Sequence, residues 1–541
     1  MNRSLLAAAL FLSFPLGSAT AEDKPLREFI DEQVKAGWAE GKLTPAPAAA
    51  DAAFLRRVYL DIVGIIPTYD EAKAFLDDKN PNKRAELVDR LLDHPRYALH
   101  QADEWDMVLF GRNPPGYETY RRPSFQRWLQ EQFAKNVPYD VWVADILKAE
   151  GTTVDNGPPW FLAQYDRQPE DAAEKITQTF LGVQLQCARC HDHPFESWTQ
   201  VEFYGMAAFL ARVQVVQFDK KNNELKAMIG EKNFGEVLFT GPASMQTPGK
   251  KGEPIKPKFL QGKALEEPAP PKDLKDERNL PGGKAPPKPF FSRKDKLAEW
   301  VTAKDNPYFA RAVANRLWAQ YMGRGIVHPV DNMSESNRAS HPELLDALTK
   351  AMAEQKFDLK WFIRELCNSK TYQLAATGAV EDAKPRLYER ARVRPLSAEE
   401  LLESWRQATG YDVVAAKTAK PDAKLGRFHG VTWDYMVRFF GQPNNGVGNF
   451  QGGMQEHLYL NHGEVSRIIA TDKGSLYQTV LDDKSEERVD RLYLSILSRP
   501  PTAAEKARFT EYLSTGGDKA GERVREAIWA LLTCSEFRFN H

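Results

Sequence analysis

The segment Cys187-Ala188-Arg189-Cys190-His191 carries the most specific chemistry in this sequence. In c-type attachment, each of two thiols adds across one haem vinyl group, and two intervening residues let both sulfurs reach from one turn of chain. The histidine that follows lies under the iron as the proximal ligand. Cys187, Cys190 and His191 meet that requirement in order. His193 opens a second reading. Cys187, Cys190, His191 and His193 are the ligand types of a zinc or non-haem iron site. A Cys187–Cys190 disulfide is a third, although no strand-helix unit of the thioredoxin kind surrounds it.

A haem iron has a sixth position. His94, His100, Met107, Met206, His328 and His341 are candidates, and the sequence does not choose among them. Met206, on the helix after the motif, reads first as core packing. Phe195 and Trp198 can shield a cofactor or pack a helix joint, and Pro194 stiffens the chain between them and the motif. A second polar group, Arg324, His328, Asp331, Glu335, Asn337 and His341, reads either as a ligand site or as a solvated loop with helix caps. No nucleophile elbow, phosphate loop, His-Glu-X-X-His helix or calcium loop is present.

The elements around the motif read as helices. Phe54, Leu55, Val58 and Ile62 fall on one helical face. Amphipathic runs follow at 86–92, 125–133 and 139–147, and a helix from about 170 to 185 leads into the cysteines. Thr68 with Glu71, Thr199 with Glu202, Ser340 with Glu343 and Ser397 with Glu400 have capping-box spacing. The motif is therefore expected in a tight joint between two helices. Val213, Val215, Phe218, Val237 and Phe239 suggest a few strands, and 246–292 is Pro-, Lys- and Gly-rich without periodicity. Arg57 to Val63 with Pro67, Thr68 and Glu71 is echoed at the same offsets by Arg491 to Leu497 with Pro501, Thr502 and Glu505. A related helical hairpin is expected near both ends.

Residues 1–21 read as a secretory signal: Arg3, a short apolar run from Leu5 to Leu16, and Ala19-Thr20-Ala21 as the cleavage site. The expected location is periplasmic or extracellular, with no transmembrane segment in the mature chain. The 73 basic and 74 acidic residues leave a net charge of -1, which gives no overall footprint for nucleic acid. Hydrophobic content of 42% is enough for sizeable cores. Cys367 and Cys534 sit in apolar helical contexts and read as small hydrophobes, with a disulfide between them as the alternative.

Phe180 to Gln186 leading into the cysteines, then His193-Pro194-Phe195 and Trp198-Thr199-Gln200, resemble planctomycete cytochrome-like proteins of unknown function. Arg57 to Pro67, Leu91 to Tyr97 and Asn136 to Tyr139 resemble the same N-terminal domain. Asp305-Asn306-Pro307, Asn315 to Trp318, Gly323 to Val327 and Ser340 to Leu345 resemble its usual C-terminal partner. The resemblance implies an exported two-domain protein with a haem-attachment motif and no assigned activity. Many relatives carry another cysteine pair where this chain has Asn444 to Gln451, so a second thiol site is not expected.

The expected fold is mainly α. A signal peptide at 1–21 precedes a helical cytochrome-like domain at 22–212, a small β segment and Pro/Lys-rich linker at 213–292, and a helical domain at 293–541. The expected function is an exported redox protein with covalent haem c, which exchanges electrons with a partner protein. A non-haem metalloenzyme and a binding or scaffold protein with a structural metal or disulfide are the alternatives.

Overall fold

The structure, a computed structural model, describes residues 24–111, 123–221, 224–239, 252–275, 287–377, 384–411, 458–460, 465, 468–469, 471–515 and 517–541. The signal segment and the Asn444 to Gln451 stretch lie outside the described residues.

The fold is mainly α, in two helical domains with sheets of two and three short strands. Among the described residues no helix is long and apolar enough to cross a membrane. One hydrophobic cluster runs from Ile30 to Tyr388, so helices on both sides of 213–292 share a core. A second runs from Leu396 to Phe537 and also takes in Leu60 and Ile66.

Leu60 belongs to the helix that joins the cores, and Ile66 follows just after it. In the Asp51–Val63 helix, Phe54, Leu55, Val58 and Ile62 are buried as their spacing predicts. The face expected to be polar is buried as well. Arg56, Arg57 and Asp61 are 1%, 4% and 5% exposed. A buried guanidinium requires acceptors. Arg56 donates to the carbonyls of Ile496 (3.2 Å) and Phe537 (2.8 Å), while Arg57 donates to those of Tyr372 (2.7 Å) and Leu374 (2.9 Å). The two arginines thus tie the helix to segments more than 300 residues further along the chain.

Gly64 ends this helix in the left-handed region (φ 68°), and a capping box at Thr68 opens the Tyr69–Asp77 helix. The echo near the C-terminus has the same local form. Ser498 ends the Ser485–Leu497 helix at φ 59°, and a capping box at Thr502 opens Ala503–Ser514. The hairpins also touch, with the Arg491 guanidinium 4.3 Å from the centre of the Tyr69 ring.

The capping boxes at Thr199 and Ser397 form as expected. The one at Ser340 does not. Pro342 is the first helical residue, which makes His341 the N-cap and puts Glu343 one position too early. Ser340 instead contacts His341 Nδ1 through its hydroxyl (3.0 Å). Ser397→Ala is therefore expected to cost about 1 kcal/mol, and Ser340→Ala under about 0.5 kcal/mol. Denaturant midpoints of the two variants, measured together, check the difference.

Strands lie where the alternation changes, and further short strands elsewhere join them or pair with each other. Val213–Lys221 pairs antiparallel with Glu224–Glu231, whose other edge pairs with Gly151–Thr152. Part of the Pro/Lys-rich region packs on the fold, while 268–273 is exposed. Leu260 is 4% exposed, and Glu267 bonds the buried Arg293 (2.7 Å).

Candidate functional site

The helix leading to the motif is shorter than expected. Pro169–Ile176 is α-helical, and the chain then widens into a π-helical turn over Thr177–Leu181. Gly182 closes that turn at φ 69°, a conformation that favours glycine. A side chain there would also meet Met333, whose sulfur lies 3.2 Å from where a Cβ would sit. The Gly182 carbonyl accepts from the Met333 N–H (2.8 Å).

Leu185 and the fully buried Ala188 then pin a 3₁₀ turn over Gln186–Arg189. With those two positions facing inward, Cys187 and Cys190 are exposed, and both are free thiols. The turn is anchored further by Arg189. Its guanidinium pairs with Asp171 (2.7 Å), and its carbonyl accepts from the Tyr204 hydroxyl (3.1 Å). Asp192 accepts from the Gln200 N–H (2.8 Å) at the start of the Gln200–Ala208 helix. The motif does sit in a joint between helical segments.

The two histidines are held differently. His191 Nδ1 lies 2.7 Å from the Asp192 carbonyl oxygen. A carbonyl only accepts, so this bond requires the proton on Nδ1 and leaves the lone pair of the neutral ring on Nε2. His193 Nδ1 instead accepts from the N–H groups of Phe195 (3.3 Å) and Glu196 (3.1 Å). Its neutral ring therefore carries the proton on Nε2 and presents a donor there. Among the described residues, no group of three or more His, Cys, Asp or Glu side chains is gathered to hold a metal ion.

Residues far along the chain complete the surroundings. Glu196 accepts from the N–H groups of Glu335 (3.0 Å) and Ser336 (3.3 Å) and from the Ser336 hydroxyl (2.5 Å). Burial opposes ionisation of Glu196, but these bonds outweigh it and hold the carboxyl below its usual range. Asp331 accepts from Gln178 (2.6 Å) and Gln184 (3.3 Å), both on the segment leading to the cysteines. Two adjoining cavities, of about 230 and 500 Å³, lie between 193–198 and 332–342.

Residues 29–215 match the family model described as PSCyt2, a protein of unknown function (DUF1549), and residues 293–428 match PSD1, a protein of unknown function (DUF1553). Both matches are to domain models described only as of unknown function. Neither the curated proteins nor the solved structures give a match. The cysteine motif and Glu196 lie in the PSCyt2 domain, and Asp331, Met333, Glu335 and Ser336 lie in the PSD1 domain.

The second polar group does not act as one site. Asp331 and the Glu335 backbone face the PSCyt2 segment. His341 packs instead at Gly37, its ring 5.5 Å from that of Tyr388, and burial pushes it down to about 4. Burial, with Arg324 beside it, also lowers His328. The other candidates for a sixth ligand are engaged elsewhere or partly buried. His94 Nδ1 accepts from the Arg96 N–H (3.2 Å), His100 packs at Gly64, Met206 is fully buried and Met107 is half-buried. Met333 was not among those candidates, because nothing local marks a residue that reaches Gly182 from far along the chain. Of the remaining cysteines, Cys367 is a buried free thiol, as its apolar context predicts, and Cys534 is a half-buried free thiol.

Proposed function

We propose that this chain is an exported redox protein that carries a covalent c-type haem on Cys187 and Cys190, with His191 as the axial ligand. The observation that carries the reading is the His191 bond to the Asp192 carbonyl. A ligating histidine characteristically donates its other ring N–H to a carbonyl or carboxylate, which fixes the tautomer and raises the basicity of the ligating nitrogen. Two further observations agree with it. Both thiols are free and exposed within one short turn. Ala188 and the Arg189–Asp171 pair hold that turn against the core, so that the cysteines do not carry its packing. A haem held this way supplies one-electron exchange. Phe195, 82% exposed beside the motif, offers an apolar contact to a partner protein.

The full chain, produced with its leader in a bacterial host equipped for haem attachment, tests this. The expected result is a Soret band together with a mass increase that survives denaturation. A colourless protein of unmodified mass would overturn the reading. Elemental analysis of that protein would then separate a zinc or iron site from a metal-free scaffold.

A further inference from the structure

The two cavities between the domains share a wall made by Glu196, Trp198, Met333 and Ser334, so they form one cleft. We infer that this cleft binds a neutral, hydroxyl-rich ligand of the oligosaccharide class. The inference stands apart from the haem reading, because neither cysteine lines the cleft.

Size is the first support. The larger cavity, about 500 Å³, lies in the range typical of small-ligand sites, roughly 300–1,000 Å³. With its neighbour of about 230 Å³, it offers room for more than one sugar ring.

The chemistry of the walls selects the class. Amide and hydroxyl groups recur along both parts: Gln184, Asn332 and Ser334 in the smaller, Ser197, Gln261 and Asn337 in the larger. Each of Gln184, Gln261 and Asn337 engages one polar atom within the fold, on Asp331, Tyr308 and Asn332 respectively, and the hydrogen-bonding capacity left on each amide can meet a sugar hydroxyl. His193, which lines the smaller part, adds an Nε2 donor because its Nδ1 is already taken by backbone N–H groups. Tyr308 is half-buried on the larger part and is braced by its hydroxyl bond to Gln261 Oε1 (2.9 Å). An aromatic ring held in this way gives the apolar face of a sugar ring a surface to stack on.

Charge argues against an anionic ligand. Glu196 directs its carboxylate to the 335 and 336 backbone, and Arg311 pairs with Asp346. The remaining charged lining residues, Glu335 and Arg338, are of opposite sign. A phosphate or sulfate site would present an excess of cationic donors.

The test uses the full chain on an array of neutral gluco-, xylo-, manno- and galacto-oligosaccharides of three and four units, with sulfated and uronic oligosaccharides alongside. Calorimetry on the best neutral probe follows. Retention of a neutral probe is expected, with Tyr308→Ala lowering its affinity about tenfold or more and Arg338→Ala changing it less than about twofold. Thermal midpoints and near-ultraviolet circular dichroism show that Tyr308→Ala is folded, and Tyr308→Phe, which keeps the ring, is expected to recover most of the affinity. The inference is overturned if no neutral probe binds at about 1 mM, if only charged probes bind, or if Tyr308→Ala binds as wild type.

Discussion

Replacing Arg394 by methionine is expected to lower stability by ~3 kcal/mol at neutral pH. The reason is a buried polar network where the two cores meet. Arg394 donates to both oxygens of Glu400 (2.8 Å each) and to Asp61 (2.9 Å). Asp61 also accepts from the Tyr372 hydroxyl (2.8 Å) and the Asn540 amide (2.7 Å). The carboxylates are 5% and 1% exposed, and one guanidinium serves both. Removing it leaves two buried carboxylates without the cation that is hydrogen-bonded to them, a change that typically costs about 3–5 kcal/mol. Arg394 keeps 29% of its side chain exposed, so water can reach the vacated site and the lower end of that range applies.

The pH dependence follows from the same contacts. Burial already raises Asp61 even with Arg394 present. Burial also acts to raise Glu400, but the charge and hydrogen bonds of Arg394 outweigh it and hold that carboxyl below its usual range. Without Arg394, burial loses its main opponent at both, although the Tyr372 hydroxyl on Asp61 and the Ser397 N–H and His100 on Glu400 still favour the charged forms. A carboxyl raised by folding takes up a proton as the chain folds, so the fold is favoured at low pH and loses stability as pH rises through the raised values. The deficit of Arg394→Met relative to wild type should therefore be small near about pH 4 and full at neutral pH. Urea unfolding across that interval checks it. A deficit independent of pH would show that lost packing, not charge, carries the effect. Adding Glu400→Gln to Arg394→Met should recover part of the loss at neutral pH.

That network also marks the limit of what the sequence discloses. The apolar face of the Asp51–Val63 helix was legible, because the 3.6-residue period of the apolar side chains is a local signal. Burial of Arg56, Arg57 and Asp61 was not, because their partners are Ile496, Phe537, Tyr372, Arg394 and Asn540, and polar side chains on a helix are ordinarily solvated. The only local hint is an acid and two arginines inside a run otherwise rich in large apolar residues. Caps follow the same division. Thr68, Thr199, Ser397 and Thr502 were legible because a cap involves residues three apart. Ser340 misled because Pro342 fixes the helix start one residue later than the box requires.

The candidate site divides in the same way. Cys187, Cys190 and His191 lie within five residues, so the spacing on which the proposed attachment rests is a local signal. The clasp between Glu196 and Glu335 joins residues 139 positions apart, so no local pattern could have brought the loop after the motif to the second domain. The opposed tautomers of His191 and His193 were likewise hidden. Each follows from one or two backbone groups whose direction only the folded loop determines.

Variants of the motif should separate attachment from ligation. With a haem-attaching host, Cys187→Ala/Cys190→Ala is expected to abolish covalent haem completely, since no thiol remains to add to either vinyl group. Each single variant should retain one link and a reduced yield. His191→Ala should keep the covalent mass, because both thiols remain, but shift the Soret band as the axial nitrogen is lost. These effects should come without unfolding. Both cysteines are exposed, and surface substitutions of this kind usually change stability by no more than about 0.5 kcal/mol. Denatured mass and absorption, read beside a thermal midpoint for each variant, give the full pattern. If His191→Ala loses the mass together with the band, the histidine is needed for attachment itself. If it leaves both unchanged, the iron is ligated by another residue, and the Asp192 carbonyl bond serves only the loop.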